Sequence, residues 1–454
     1  MENPMAQRKR WISMAVMTFA ALGGVLYGYD LGVIAGALLF VGHDIPMSIQ
    51  QISFLVGAYL FGGALATLIS GPLADWLGRK LLIMASSIVF LIGVLFVVVS
   101  DTYTMLLLGR VVQGIGVGII TIVVPLFLSE SLPTRLRGRG VAIFQLLLTA
   151  GILLAGVVDD LFVRSGNWRG MFVMCAIPGI IMFFGSFFLD NSPRWLVMKG
   201  HDKKALEVLE KSRTKEEALK ELEEIQKLRM LGDYNITHFQ FETFFQKRFL
   251  LPFLIVLGVA ALNQLIAVNS ILQLGPVILK QMGFDSDLMA MLGSTAIMGL
   301  NFLVTLLVLG FVDKIERRLL YGIGAGGLTL ALFYCGFISY YWDPGMEKGY
   351  LLLAGLLAFI LFYSMGPGLL VWVVLSELLP LKIRSSGMAI ALCANSLISA
   401  IWSSIFLDVA DAFGYGWLFC LCGLFGLLYF LLVSFKIPKV RGRSLEEIEA
   451  SFAE

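Results

Sequence analysis

The chain has 454 residues, of which 58% are hydrophobic and only 15% are charged, whereas soluble globular proteins carry about 25% charged residues. This composition excludes a soluble globular protein and predicts one that lies in a lipid bilayer. The formal net charge is +2, and the basic residues are scattered between apolar stretches without a continuous basic face, which argues against nucleic-acid binding.

No catalytic group, metal site or cofactor site is predicted. The five cysteines all lie in apolar segments, where they are expected to serve as small packing residues. The three histidines fall in predicted loops, and no Ser-His-Asp set is present. Gly114-x-Gly116-x-Gly118 lies inside an apolar segment and follows no strand, so it is expected to let helices approach closely and not to bind a nucleotide.

Twelve apolar segments are long enough to cross a bilayer as helices, which takes about 20 residues each. Helices are expected because a lipid-exposed backbone must satisfy its hydrogen bonds within its own segment. The predicted spans cover residues 12–39, 52–74, 81–100, 104–129, 140–160, 170–189, 250–279, 288–312, 319–341, 350–376, 386–407 and 415–435. Gly275-Pro276 and Gly366-Pro367-Gly368 are expected to break the seventh and tenth spans into mobile half-helices.

Only two charged residues lie clearly inside these spans, Asp30 in the first and Arg110 in the fourth. A carboxylate within a bilayer costs roughly 2.5–3.5 kcal/mol on insertion scales, so an acid there indicates a functional site. At a rise of 1.5 Å per residue, Asp30 lies about 15 Å and Arg110 about 10 Å from the outer ends of their helices. These depths predict that the two side chains form a pair.

Basic residues are concentrated in the loops on one side of the predicted bundle. That set contains Arg8, Lys9, Arg10, Arg79, Lys80, Arg135, Arg137, Arg139, Lys314, Arg317, Arg318, Lys382, Arg384, Lys436, Lys439, Arg441 and Arg443. The opposite loops hold only Arg164, Arg169, Lys280 and Lys348. By the positive-inside rule, both termini are predicted to be cytoplasmic.

The predicted organisation is two six-helix halves, residues 1–189 and 249–435, joined by a soluble linker at 190–248 and followed by a tail at 436–454. The linker is highly charged between Lys203 and Leu231, with apolar residues at helical spacing. This pattern predicts short amphipathic helices that pack under the bundle, with a partner-binding domain as the less favoured alternative.

The two halves carry matching motifs six spans apart. The segment after the second span reads Gly71-Pro72-Leu73-Ala74-Asp75-Trp76-Leu77-Gly78-Arg79-Lys80. The segment after the eighth span matches it and reads Gly310-Phe311-Val312-Asp313-Lys314-Ile315-Glu316-Arg317-Arg318. Ser129-Glu130-Ser131-Leu132-Pro133 after the fourth matches Ser376-Glu377-Leu378-Leu379-Pro380 after the tenth. Parallel halves of this kind are typical of a transporter with its substrate site at the interface between them.

Taken together, these motifs resemble the sugar porter family of the major facilitator superfamily over nearly the whole chain. The resemblance is carried by Gly23-Gly24-Val25-Leu26-Tyr27-Gly28-Tyr29-Asp30, by Asp75, Gly78 and Arg79, by Arg110, and by Gly366-Pro367-Gly368 with Trp372. It implies an all-α membrane protein with twelve transmembrane helices in two parallel six-helix halves, the major facilitator fold, and a cytoplasmic helical linker.

The resemblance also implies a role for Asp30, since an aspartate there takes the proton in proton-coupled sugar symporters of the xylose–proton type. Paired with Arg110, the carboxylate is stabilised in its charged form, whereas separation in a buried site favours protonation. A site that alternates between these conditions can carry a proton across the membrane. The alternative is a static buried ion pair that only fixes helix packing.

Amides dominate the polar residues in mid-span, as suits a substrate with uncharged hydroxyls. By resemblance, the expected substrate-binding residues are Gln145, Asn263, Gln264, Asn269, Gln273, Asn301, Trp372 and Asn395. An interhelical hydrogen bond is the alternative for any single amide. Three positions depart from the family: Gln273-Leu274 replaces paired tyrosines, Ser396 replaces an aromatic residue and Ser364 replaces an acid. A more polar, less aromatic pocket is therefore expected. Such a pocket predicts a preference for a pentose or a cyclic polyol over glucose.

Charged residues at matching points of the two halves are expected to form clusters that close the cytoplasmic side in the outward-facing state. These gate residues are Asp75, Arg79, Glu130, Arg137, Arg318, Glu377 and Arg384. They lie in the repeated motifs after the second, fourth, eighth and tenth spans.

The predicted function is proton-coupled symport of a sugar or polyol across the cytoplasmic (inner) membrane by alternating access, by a protein that works as a monomer. An uncoupled facilitative carrier is the first alternative, and Asp30 argues against it. A non-transporting sugar sensor is the second, although it is expected to have a longer tail than the 19 residues after the last span. A drug–proton antiporter is expected to have a more apolar pocket.

Overall fold

The structure is a computed structural model that describes residues 4–230, 246–311, 315–371, 378–379 and 383–436. All the elements assigned within these ranges are helices, which confirms the predicted all-α class. They are α1 (Pro4–Ala37), α2 (Val41–Asp44), α3 (Ile49–Leu77), α4 (Arg79–Val98), α5 (Tyr103–Ser131), α6 (Thr134–Val163), α7 (Trp168–Ser186), α8 (Pro193–Met198), α9 (Asp202–Glu210), α10 (Lys215–Met230), α11 (Lys247–Leu265), α12 (Val268–Gln281), α13 (Asp287–Phe311), α14 (Arg317–Tyr341), α15 (Met346–Met365) and α16 (Arg384–Lys436).

Within these ranges, 11 apolar helical segments are long enough to cross a membrane. The last of them covers the 50 residues Gly387–Lys436, more than twice the length that one span needs. Gly414 interrupts it with φ +83°, a left-handed conformation that glycine adopts without a steric penalty. The segment therefore makes two spans, and the total agrees with the predicted twelve.

Polar caps fix the start of several spans. At the start of α3, Gln51 N donates to Ser48 Oγ at 3.2 Å, and Ser48 N donates to Gln51 Oε1 at 2.9 Å. At the start of α7, Gly170 N donates to Asn167 Oδ1 at 2.9 Å. These bonds satisfy backbone N–H groups that have no partner within the helix.

Glycines let neighbouring helices touch backbone to backbone. A Cβ atom at Gly28 of α1 would lie 1.8 Å from the carbonyl oxygen of Leu148 on α6. A Cβ atom at Gly114 of α5 would lie 2.0 Å from the carbonyl oxygen of Tyr59 on α3. No side chain fits at these distances, so the glycine run around Gly114 serves close helix packing, as predicted.

The seventh span is broken at Ala267, between α11 and α12. Ala267 has φ +65°, the only positive φ of a non-glycine residue in the described ranges. The break predicted at Gly275-Pro276 is wrong, because α12 continues through both residues to Gln281. A proline is tolerated inside a membrane helix where its surroundings satisfy the freed backbone groups. The predicted break in the tenth span is confirmed, since α15 ends at Met365 before Gly366.

The two halves meet at one end of the bundle. We call the end at which α1 begins the amino-terminal face and the other end the opposite face. Toward the opposite face, Leu407 N of α16 donates to Ser53 Oγ of α3 at 3.0 Å. A Cβ atom at Gly57 would lie 1.7 Å from Ser404 Oγ. The opposite face is therefore tightly closed.

Helices α8 to α10 pack against the amino-terminal face of the first half. Ser192, which caps α8, donates to Glu130 Oε2 at 2.5 Å. Arg213 donates to the carbonyl oxygens of Ser131 at 3.2 Å and Leu132 at 3.1 Å, at the end of α5. The described part of the linker thus forms short helices that pack under the bundle, as predicted.

Candidate substrate and proton site

A cavity of about 160 Å³ lies between the two halves, in the middle of the bundle. Its walls come from α1, α3, α5 and α6 on one side and from α11, α12, α13, α15 and α16 on the other. Thr67, Thr121 and Thr305 line its amino-terminal side. The cavity therefore extends from the centre toward the amino-terminal face, while the opposite face is packed shut.

Six of the eight predicted substrate residues line this cavity: Gln145, Asn263, Gln264, Asn269, Asn301 and Asn395. Trp372 lies outside the described residues. Gln273 is buried but is not among the lining residues, and its Nε2 donates to the backbone oxygen of Asn269 at 3.3 Å. Helix α12 turns this amide away from the cavity.

Gln264 is the centre of an amide network. Its Nε2 donates to Asn395 Oδ1 at 3.0 Å and to Asn263 Oδ1 at 3.2 Å. Its Oε1 accepts from Asn269 Nδ2 at 3.0 Å. Asn269 Nδ2 also donates to Ser399 Oγ at 2.8 Å. These bonds join α11, α12 and α16 and hold the amides in fixed orientations before any ligand arrives.

The break at Ala267 allows Gln264 and Asn269 to meet. In a continuous α-helix, side chains five residues apart point in directions that differ by about 140°. The left-handed residue between α11 and α12 turns the chain, so that both amides face the cavity. The break therefore has a direct role in building the site.

Asn301 and Gln145 differ in how fully they are bonded. Asn301 Oδ1 accepts a hydrogen bond from Ser364 Oγ at 2.8 Å. No hydrogen bond joins the Gln145 side chain to the described part of the protein, although it lines the cavity. The Gln145 amide therefore keeps its full capacity for a ligand.

Among the described residues, three tyrosines supply the aromatic surface of the cavity: Tyr27 of α1, Tyr59 of α3 and Tyr363 of α15. The sequence prediction missed them because they lie in long apolar spans, where aromatic residues carry no signal of the direction in which they point. They partly replace the aromatic surface that Leu274 and Ser396 lack.

Asp30 and Arg110 are both fully buried and form the predicted contact, with 3.2 Å between Arg110 NH1 and Asp30 Oδ1. Arg110 NH1 also donates to Gln113 Oε1 at 3.1 Å, and Cys175 Sγ donates to Asp30 Oδ1 at 3.6 Å. Asp30 Oδ2, Arg110 Nε and Arg110 NH2 are buried without a hydrogen-bond partner. The pair is therefore held by a single contact and leaves much of its bonding capacity unused.

Tyr59 connects this pair to the cavity. Its ring lies under the Arg110 guanidinium, with 4.5 Å from Cζ to the ring centroid, a cation–π contact. The same side chain lines the cavity. A ligand that displaced Tyr59 would disturb the surroundings of Arg110.

Asp159 of α6 is a further acid inside the bundle, and the sequence prediction missed it because it recognised only Asp30 and Arg110 within the spans. It is fully buried, and its Oδ2 accepts a hydrogen bond from Gly36 N at 3.1 Å. Asp159 is next to the predicted end of the fifth span at residue 160, where an acid is taken as a boundary and not as an intramembrane group. Helix α6 continues to Val163.

The described gate residues are bonded within their own halves. Arg79 lies 3.1 Å from Asp75 and 2.8 Å from Glu130. Arg318 donates to the backbone oxygen of Ser434. The side chains of Arg137 and Arg384, and the whole of Glu377, lie outside the described residues.

A polar cluster at the opposite face joins α2 to α7. Trp168 Nε1 donates to Asp44 Oδ2 at 2.9 Å, and Arg169 pairs with the same carboxylate. The hydrogen bond from Trp168, together with that from Arg169, holds the pKa of Asp44 below its usual range.

Comparison with known proteins identifies the family to which this chain belongs and its fold. A family model described as "Sugar (and other) transporter" matches residues 16–452. The glucose transporter GlcP of Staphylococcus epidermidis is 34% identical, over 97% of this chain and 97% of the relative. The galactose–proton symporter of Escherichia coli is 32% identical, over 97% of this chain and 96% of the relative.

The solved structures include that of the xylose transporter XylE from E. coli in an inward open conformation. It is 24% identical to this chain and has a TM-score of 0.82, with 97% of this chain and 99% of the other chain covered. This similarity establishes the major facilitator fold, as the sequence motifs predicted.

Proposed function

The chain belongs to the sugar transporter family, and from that premise we propose that it moves a sugar or polyol across a membrane together with a proton. A member of this family is a multi-pass membrane transporter and not an enzyme. The observation that carries the proposal is the buried Asp30–Arg110 pair beside an amide-lined cavity. The galactose–proton symporter among the relatives supports coupling to a proton.

The geometry of the Asp30–Arg110 pair supports a switch. Breaking a buried ion pair leaves an uncompensated charge, at a cost of about 3–5 kcal/mol. Separation of the two side chains therefore favours uptake of a proton by Asp30, which removes its charge. Because a single contact holds the pair, a small displacement of α1 relative to α5 is enough to separate it.

The cavity supports a substrate with several uncharged hydroxyls. Gln145, Gln264 and Asn269 offer both donors and acceptors, and the three tyrosines offer flat apolar surface and hydroxyl groups. Charged lining residues are absent from the described part of the cavity wall. A pentose or a cyclic polyol fits this mixture, and we propose that glucose binds more weakly.

The amino-terminal face is assigned to the cytoplasm and the opposite face to the outside of the cell, since basic residues are concentrated at the former. In this proposal, the protein lies in the cytoplasmic (inner) membrane and works as a monomer. With the outer face packed shut and the cavity extending toward the cytoplasm, the structure corresponds to an inward-facing state.

In the transport cycle, substrate and proton enter from the outside, the outer face closes, and both leave toward the cytoplasm. Asp75, Arg79 and Glu130, together with Arg137, Arg318, Glu377 and Arg384, close the cytoplasmic side in the outward-facing state. In the inward-facing state, the described members of this set are bonded within their own halves, as this role requires.

The test is a sugar-uptake screen with the purified protein in proteoliposomes, with and without an inward proton gradient. A panel of pentoses, hexoses and cyclic polyols identifies the substrate class. Accumulation above the external concentration only in the presence of the gradient is expected. Equilibration of a sugar that is indifferent to the gradient would identify an uncoupled facilitator instead, and a protein that transports none of the panel would contradict the proposal.

A further inference from the structure

We propose that Asp159 is a second proton-binding group of this transporter, which takes up a proton from the outer side as the outer face closes. The proposal rests on the proposed symport function, but it concerns a residue on α6 and not the Asp30–Arg110 pair. Its test follows closure of the outer face and requires no sugar.

The surroundings of Asp159 suit a neutral acid. The side chain is fully buried, Oδ2 accepts from Gly36 N at 3.1 Å, and Oδ1 is buried without a hydrogen-bond partner. Within the described part of the chain, no basic side chain forms an ion pair with it. An unpaired carboxylate removed from water costs several kcal/mol, so the form that fits this closed state carries a proton on Oδ1.

The titratable groups that face Asp159 cannot neutralise it as cations. They are Asp160, the next residue on α6, Tyr29 of α1 and Cys175 of α7. Arg110 of α5 is bonded to Asp30 and Gln113. On α13, Thr295 and Met298 lie against Gly156 of α6, and neither carries a charge.

Asp159 lies between the outer face and Asp30. Its partner Gly36 is six residues beyond Asp30 on α1, a rise of about 9 Å toward the outside. Cys175, which faces Asp159, also donates to Asp30 Oδ1 at 3.6 Å. A proton that enters from outside therefore meets Asp159 before it reaches Asp30.

The second half covers both helices that hold Asp159 in this state. In this state α6 is covered by α13, and α1 by α12; a Cβ atom at Gly156 would lie only 2.8 Å from Met298 Sδ. When the halves separate there, water reaches the outer ends of α1 and α6 and can solvate an ionised carboxylate. Closure and proton uptake at Asp159 are therefore linked, and acid on the outside favours closure.

The experiment measures opening of the outer face by cysteine labelling. Ser53, buried where α3 meets α16, is replaced in S53C as the reporter. Ser165, exposed in the loop after α6, is replaced in S165C as the reference. Labelling by a membrane-impermeant maleimide is measured from pH 5 to pH 8 in proteoliposomes, and the labelling of protein without an introduced cysteine is subtracted.

All variants carry Asp30→Asn, so that the coupling pair contributes no titration. Relative labelling of S53C is expected to fall as the pH falls, with a slope of up to about tenfold per pH unit, the limit for one proton. Asp159→Asn, whose side-chain oxygen can still accept from Gly36 N, is expected to abolish this slope and leave labelling low throughout. Asp159→Glu should keep a slope, and so should Asp160→Asn, since Asp160 only neighbours the proposed group. The control Asp343→Asn, at an exposed acid in the loop between α14 and α15, should leave the slope unchanged.

A slope that survives Asp159→Asn would overturn the proposal, as would a slope that disappears in Asp160→Asn and persists in Asp159→Asn. A flat profile in the parent Asp30→Asn protein would also overturn it. Failure of the proposed function would instead appear as absence of sugar transport by the unmodified protein, which leaves the labelling result unaffected.

Discussion

Gln264 is the residue at which the hydrogen bonds of the cavity branch, since it contacts Asn263, Asn269 and Asn395. We expect Gln264→Ala to raise the apparent substrate constant at least tenfold, or about 1.4 kcal/mol. The reason is that a substrate hydroxyl left buried without a partner costs about 1–3 kcal/mol. Substrate dependence of counterflow in proteoliposomes measures this change.

Gln273→Ala is the matched control, because Gln273 is a buried amide on the neighbouring helix α12 but does not line the cavity. Both variants lose a buried amide, and we expect only Gln264→Ala to change the substrate constant. Equal effects of the two substitutions would show that the amide network acts through packing and not through substrate contact.

Asp44 makes the polar cluster between α2 and α7 sensitive to acid. Hydrogen bonds from Trp168 and Arg169 lower the pKa of Asp44 in the folded protein. The ionised carboxylate therefore contributes its full stability above the usual pKa of about 3.9. That contribution is lost as the pH falls through the lower pKa of the folded protein. We expect Asp44→Asn to lower the melting temperature more at pH 6 than at pH 3, because part of the contribution of the ionised carboxylate is lost as the pH falls below about 3.9. A difference of equal size at both values would contradict this account, and Asp101→Asn, at the exposed residue 3.3 Å from Arg169, is the control.

The sequence predicted the buried charge pair and most of the cavity residues for a physical reason. A charge or an amide in the middle of an apolar span is costly, so Asp30, Arg110 and Gln264 stand out from their surroundings. The rotation of a helix about its axis is set by its neighbours and not by its own sequence, so neither the orientation of Gln273 nor the contribution of Tyr59 to the cavity could be predicted.

At the scale of the helices, Ala267 is the position where the chain conformation itself is strained. Its backbone is left-handed, with φ +65°. This conformation costs an L-residue roughly 1–2 kcal/mol, whereas glycine adopts it with little cost. We expect Ala267→Gly to stabilise the protein by about 1 kcal/mol, less any gain in unfolded-state entropy. Chemical unfolding in detergent or lipid, with substrate counterflow as a check on the site, measures the change.

Ala260→Gly provides the control of opposite sign, since Ala260 is fully buried within the regular helix α11. There glycine should destabilise by about 1 kcal/mol. If Ala267→Gly destabilised the protein as much as Ala260→Gly does, the left-handed break would not be the conformation in the membrane.

The number and limits of the spans could be predicted because apolar length is read directly from the sequence, and the termini of α3, α5 and α7 differ from the prediction by only a few residues. The position of the break in the seventh span could not be predicted, because the prediction relied on Gly275-Pro276. The structure places the break at an alanine, between two amides that bond to α16, Gln264 to Asn395 and Asn269 to Ser399.

For the molecule as a whole, Gly57 determines whether the outer face can close. A Cβ atom there would lie 1.7 Å from Ser404 Oγ and 2.7 Å from the carbonyl oxygen of Ala400. We expect Gly57→Leu to hold the halves apart at the outer face, to reduce transport at least tenfold, and to retain substrate binding from the outside.

Gly71→Leu is the control on the same helix, because a Cβ atom at Gly71 would meet no atom within 4 Å. Transport by this variant should stay within about twofold of the unmodified protein, since a substitution that meets no packed neighbour has little effect. Normal transport by Gly57→Leu would contradict the closed outer face described above.

The central claim is that Asp30 couples sugar movement to a proton, and the comparison of uphill accumulation with counterflow in Asp30→Asn tests it most directly. Both are measured in the same proteoliposomes, with the sugar that the uptake screen identifies and an inward proton gradient. The account predicts that Asp30→Asn loses accumulation above the external concentration while counterflow continues, because the amide resembles the protonated acid and the cavity is intact. Proton-driven accumulation that persists in Asp30→Asn would contradict the account.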